Sequence, residues 1–312
     1  QVCAPGDIDV LSGANWLSPV RVSYDQDRSN RVLNPTEGYR FSVGFEHASE
    51  YTGSNFAYNR AVGEVNGYWT VWEGWVLASR IRGGWLDPLP FEEELGQTDG
   101  LQIAHREKRF FAGGSNSLRG YAENQLGPRN LSVEARDLLL PREVGGDTLS
   151  PVCTPQEVLN LTCDPDELSD RAFTPRPTGG SQLLEGSVEF RIPFLGSQTQ
   201  AAFFLDYGYV WPEPGRIDFS DLKLTPGFGF RYFSPIGPLR VDVGYQLEAG
   251  DRLQVVTAQL RSVPSGDPAE IGDTGYATSQ DIALLQPRIL YDDLSPWTLG
   301  RFQVHFSLGQ AF

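Results

Sequence analysis

Apolar and polar residues alternate along nine separate stretches of the chain, and the first two set the pattern. Between Ser18 and Asp27, Val20, Val22 and Tyr24 take one side of a period of two, with Arg21, Ser23 and Asp25 on the other. Between Gly38 and His47, Phe41, Val43 and Phe45 oppose Arg40, Ser42, Gly44 and Glu46. Successive side chains of an extended strand point to opposite faces, so each stretch predicts a strand with one apolar and one polar face. The segment between them, Asn34-Pro35-Thr36-Glu37-Gly38, places Pro and Gly where a turn favours them.

The same test predicts strands over 57–72 and 75–84, joined across Glu73-Gly74, and over Ser181–Ile192, Ala201–Trp211, Thr225–Phe233, Leu239–Leu247 and Arg301–Phe312. Each is about long enough to cross a bilayer as a tilted strand. Short turns such as Ser234–Pro238 alternate with longer connections, and the longest, 85–180 and 249–299, read as extended loops. The pattern predicts an all-β, antiparallel transmembrane β-barrel formed by the whole of 1–312.

A soluble β-sandwich gives a similar alternation, with its polar face simply in water. Here that face is charged, with Arg40, Glu46, Arg80, Arg82, Glu189, Arg191, Asp206, Arg231, Arg240 and Asp242 on one side. Inside a barrel these groups need water or each other, because an unpaired buried charge is too costly to keep.

Composition narrows the class. The 312 residues include 12% aromatics, 34 Gly and 22 Pro, with no run apolar enough for a helical membrane span. A β-barrel escapes that test, since its alternating strands average to a hydrophilic score. The net charge of −15 opposes nucleic acid as a partner. It is concentrated in the two long connections, with 16 Asp and Glu against 9 Lys and Arg over 85–180, and 7 against 3 over 249–299. That suits solvated loops, the alternative being cation-bridged contact with anionic lipopolysaccharide.

Cys153 and Cys163 lie ten apart in a polar segment, a separation that suits a small disulfide in an oxidising compartment, with two free thiols as the alternative. A metal site is disfavoured, because His47, His105 and His305 all lie far from the pair in sequence, and Cys3 is left over. The chain starts at Gln1 and contains no Met, which suggests a processed protein or a piece of a longer one.

The stretch Phe110–Arg129, FFAGGSNSLRGYAENQLGPR, is too glycine-rich for a regular element. Gly113 and Gly114 permit unusual backbone angles, and Gly120 allows a close approach beside Arg119. Gly113-Gly114, Ser117-Leu118-Arg119-Gly120-Tyr121 and Gly127-Pro128 together resemble the barrel-inserted loop of the BamA and TamA superfamily of outer-membrane assembly factors. Phe204-Leu205-Asp206-Tyr207-Gly208 is similar to the family's Phe-x-Asp-x-Gly wall motif, and Glu189 falls in a second wall motif, Gly186 to Arg191. Phe306, Gly309 and Phe312 resemble a terminal β-signal, at a strand that in the family forms one side of a lateral seam.

The resemblance implies that Arg119, at the loop tip with Leu118 and Tyr121, docks inside the barrel against Glu189 and Asp206. It also implies that the nine strands are the C-terminal part of a sixteen-strand barrel normally preceded by periplasmic POTRA domains. The function implied is non-enzymatic insertion of outer-membrane proteins in a Gram-negative bacterium, by strand templating at the seam and without a cofactor. Implied partners are unfolded client barrels, outer-membrane lipids and lipopolysaccharide, and accessory lipoproteins. A two-partner-secretion transporter is the nearest alternative, and the barrel anchor of a fused lipase another. No Gly-x-Ser-x-Gly elbow accompanies the latter, because Ser117 is followed by Leu118 with no neighbouring His.

Overall fold

The computed structural model describes residues 16–89, 105–144, 147–196, 198–215, 217–235, 237–248, 250–292 and 294–309. In chain order the strands begin with β1 (Val20–Asp27), β2 (Gly38–Ala48), β3 (Tyr58–Trp72) and β4 (Trp75–Pro88). The first long connection then carries β5 (Arg129–Ser132), a short helix α1 (Ala135–Leu139), β6 (Arg142–Val144), β7 (Asp147–Leu149), α2 (Pro155–Leu159) and β8 (Thr174–Pro177). After it come β9 (Gln182–Pro193), β10 (Thr199–Trp211), β11 (Lys223–Ser234) and β12 (Gly237–Tyr245). The second long connection carries β13 (Asp251–Ser262) and β14 (Tyr276–Tyr291), and β15 (Phe302–Leu308) closes the order.

The nine strands expected from the alternation form one antiparallel sheet in the order β1-β2-β3-β4-β9-β10-β11-β12-β15. Its ends differ from the sequence reading by a few residues, the largest shift being the extension of β4 to Pro88. Of the last expected strand, residues 310–312 lie outside the described residues, as does Cys3. Each pairing is between neighbours joined by a turn or an insertion, and the register is continuous across the charged strands: Glu189 sits opposite Phe204, Ser187 opposite Asp206, and Asp242 opposite both Gly229 and His305.

The two faces of the sheet differ as the alternation requires. Val22, Phe45, Trp69, Phe203, Phe228 and Phe306 are exposed on one face, an apolar surface that suits lipid. On the other, Glu46, Arg80, Glu189, Arg191, Asp206, Arg231, Arg240 and Asp242 are buried. The sheet curves round this face. Arg80 on β4 and His305 on β15 both reach residues 116–119, although five strand spacings would separate those strands by roughly 24 Å in a flat sheet.

The two long connections are where the structure adds to the sequence reading. The chain divides into two compact units, one containing Arg129–Thr178 and Ala249–Leu294, the other the nine-stranded sheet and the segment through Pro128. The smaller unit is built from parts of both connections, with a four-stranded sheet in the order β14-β13-β5-β8. It has its own core, in which Leu131, Leu138, Val158, Phe173, Val255 and Leu285 are buried. Cys153 and Cys163 belong to that core and are joined as a disulfide, their Cα atoms 5.6 Å apart. Segments expected to be plain loops therefore bury apolar area of their own.

Candidate functional site

Gly113 and Gly114 take φ values of 104° and 105°, a region that favours glycine. This turns the chain so that the Gly114 N–H donates to the Tyr121 carbonyl at 2.9 Å and the Ser117 N–H to the Gly114 carbonyl at 3.1 Å. Leu118 and Tyr121 are buried in an apolar cluster with Phe110, Leu126, Leu86 and Val210. The folded tip and its apolar seat fix the direction of Arg119, which is only 1% exposed.

Arg119 is engaged by two carboxylates. Its main-chain N–H and Nε donate to Asp206 Oδ2 at 3.0 and 2.8 Å, and its Nη2 donates to Oδ1 at 2.7 Å. Nη1 donates to Glu189 Oε2 at 2.6 Å, and Nη2 also reaches Ser187 Oγ at 3.1 Å. The guanidinium lies over the Phe204 ring, its Cζ 3.4 Å from the centroid. A planar fork can satisfy two acceptors and stack on an aromatic face at once, which a lysine ammonium cannot. Gly120 is needed for the approach, since a Cβ there would sit 2.4 Å from Thr225 Cγ2. Gly208 pairs with Glu185, where a Cβ would lie 2.8 Å from the Glu185 Cα.

Wall arginines share these carboxylates with Arg119. Glu189 also accepts from Arg191 Nε at 2.7 Å and Arg231 Nη2 at 2.9 Å. Arg231 Nη1 continues to Asp242 Oδ1 at 2.6 Å, and Arg240 Nε lies 3.0 Å from Asp242 Oδ2. Asp242 itself comes within 3.5 Å of Arg119 Nη1. Three carboxylates thus share four arginines, the arrangement that makes buried charge tolerable.

Two anchors were not assigned from the sequence. Ser117 Oγ donates to Glu185 Oε2 at 2.5 Å, and Glu185 also pairs with Arg80 and Arg82, each at 3.2 Å. Nearer the start of the loop, Lys108 Nζ is 2.7 Å from Glu46, whose carboxylate also accepts from the Tyr58 hydroxyl. Strand alternation marks Glu46 and Glu185 as inward, but only the fold shows which loop residue meets them.

The residues expected at the seam lie apart from this network. Phe306 points outward, and Gly309, with φ of 100°, donates its N–H to the Pro238 carbonyl at 2.8 Å. Phe312 is outside the described residues. Among the described residues no group of three or more His, Cys, Asp or Glu is placed to hold a metal ion.

A curved antiparallel sheet, apolar outside and charged inside, with a loop held against its inner face, defines the class: a portion of an outer-membrane β-barrel with an internal loop. Residues 6–312 match the Omp85 superfamily domain, and the chain belongs to that family. It is 26% identical over 239 residues to the outer membrane protein assembly factor BamA of Nitratidesulfovibrio vulgaris, a stretch that is 76% of this chain and 24% of that protein. The chain thus spans about a quarter of that relative's length. The crystal structure of BamA from Haemophilus ducreyi lacking POTRA domains 1-3 has the same fold, with a TM-score of 0.50 at 19% identity, covering 74% of this chain and 39% of that one. The family places the chain in the outer membrane of a Gram-negative bacterium.

Proposed function

We propose that this chain is the C-terminal barrel portion of an outer-membrane protein assembly factor, which inserts client barrels by offering a strand edge at a lateral seam. The observation that carries the reading is the docked loop, with Arg119 bonded to Glu189 and Asp206 on the inner face of the sheet. Membership of the Omp85 superfamily and likeness to a BamA support it. An edge strand presents unpaired backbone donors and acceptors, which template the addition of another strand. β15 occupies one edge of the nine-stranded sheet. On this reading the docked loop braces the inner wall of the sheet. Partners on this reading are unfolded outer-membrane proteins, the surrounding lipid and lipopolysaccharide, and accessory lipoproteins.

The test is reconstitution of the full-length protein in lipid vesicles, following the folding of an unfolded client barrel by protease protection. Faster client insertion than into empty vesicles is the expected result. Export of a soluble passenger across the vesicle, with no acceleration of barrel insertion, would instead favour a secretion transporter.

A further inference from the structure

The loop tip is also bonded to the closing strand, a contact that the wall-motif reading does not contain. His305 on β15 points inward, and its Nε2–H donates to the Arg119 main-chain carbonyl at 3.1 Å. Two positions along, Ser307 accepts from Arg240 Nε at 2.8 Å. Arg240 in turn donates through Nη2 to the Ser115 carbonyl at 2.6 Å and to Asn116 Oδ1 at 2.8 Å. Gln246, just beyond β12, donates to the Gly120 carbonyl at 2.8 Å. The fit is close, since a Cβ on Gly244 would lie 2.3 Å from the Arg119 carbonyl oxygen.

From this geometry we infer that His305 and Ser307 are positioning residues that latch the edge strand β15 to the docked loop, so that loop docking and the pairing of the edge strand are coupled. This rests on the insertase reading only for its purpose; the coupling is a property of the fold. β15 pairs with β12 over seven residue pairs. Its outward residues Val304, Phe306 and Leu308 are exposed, so the inner-face bonds to the loop add to that ladder. Undocking the loop removes the acceptor of His305 and the Ser115 and Asn116 partners of Arg240 together, and so frees β15 for strand exchange.

The experiment is hydrogen exchange on the full-length protein in vesicles, read separately for β15, for β9 and β10, and for residues 110–128. Arg119→Ala is expected to expose the loop and to speed exchange in β15. His305→Ala is expected to speed β15 exchange by up to about tenfold, the equivalent of one net hydrogen bond, while the loop stays protected through Asp206. His305→Gln, which keeps a donor for the same carbonyl, should restore protection. Outward-facing Val304→Ala should not reproduce the effect, and if it does, β15 is merely fragile and the latch is refuted. If Arg119→Ala exposes the loop and leaves β15 unchanged, docking stands and the coupling is overturned. If Arg119→Ala leaves the loop itself protected, docking fails and the coupling with it. The vesicle insertion assay reads the functional proposal separately, so loss of the coupling with the loop still docked leaves that proposal standing.

Discussion

Arg119 meets Asp206 through three donors at once, its main-chain N–H, Nε and Nη2, so one carboxylate fixes both the backbone and the side chain of the loop tip. Both residues are essentially fully buried. Breaking such a pair leaves a charge stranded in low dielectric, at a cost of about 3–5 kcal/mol. Asp206→Asn, which preserves shape, should therefore undock the loop, read as new trypsin cleavage at Arg119. Arg119→Lys should not hold the loop either, because a point charge cannot span Asp206 and Glu189. A lysine variant as protected as the wild type would show that charge alone, not fork geometry, holds the tip.

Gly120 and Gly244 face the same requirement from opposite sides of the dock. A Cβ at Gly120 meets Thr225, and one at Gly244 meets the Arg119 carbonyl, both under 2.5 Å. Neither glycine has a positive φ, so the expected cost of an alanine is steric, about 1–3 kcal/mol of overpacking. Gly120→Ala or Gly244→Ala should lower the temperature at which the folded barrel loses its compact gel mobility. Gly63→Ala, where φ is not positive and a Cβ would meet nothing nearer than the Ser42 carbonyl oxygen at 3.9 Å, is not expected to move it.

The nine barrel strands are legible in the sequence because two solvents act on them: one face meets lipid and the other a charged interior, so the period of two is strict. The smaller unit is not legible for the opposite reason. In β13 the register shifts between Gln254 and Val256 and again between Ala258 and Leu260, and each bulge resets the alternation. In β14 the buried side holds Ala277, Ala283, Leu285 and Ile289, interrupted by Ser279, Asp281 and Pro287, so no apolar face stands out. At the site, alternation marks Asp242 and His305 as inward. Their meeting with Arg119 depends on how the β11, β12 and β15 registers align, which a single strand's pattern does not encode.

The helix α2 carries a pH-dependent cap. Thr154 and Glu157 form a capping box, with the Thr154 N–H donating to Glu157 Oε2 at 2.7 Å. The hydrogen bonds from the Thr154 backbone and then its hydroxyl hold the Glu157 carboxyl below its ordinary value of 4.5. A group depressed in the folded state contributes above its unfolded pKa and loses that contribution as pH falls through the folded one. Exchange at the first-turn amides of α2 should therefore quicken as pH is lowered through the carboxylate range, after correction for intrinsic rates. Glu157→Gln should abolish that dependence.

The disulfide offers a way to ask whether the two units fold as one. Cys153 and Cys163 close a loop of ten-residue separation, and both are buried in the core that contains Val158, Leu168 and Phe173. In the chain-entropy picture so short a loop contributes somewhat less than about 3 kcal/mol. The ring it closes lies wholly within the smaller unit, so the stabilisation belongs there. Replacing both cysteines by alanine should lower the thermal transition of that unit, followed by exchange in β5, β13 and β14. Protection of β9, β10 and Arg119 should be unchanged, because the charged network and the apolar seat of the loop contain neither sulfur. A fall of both sets of signals together would mean that the insertions and the barrel sheet unfold in a single cooperative step.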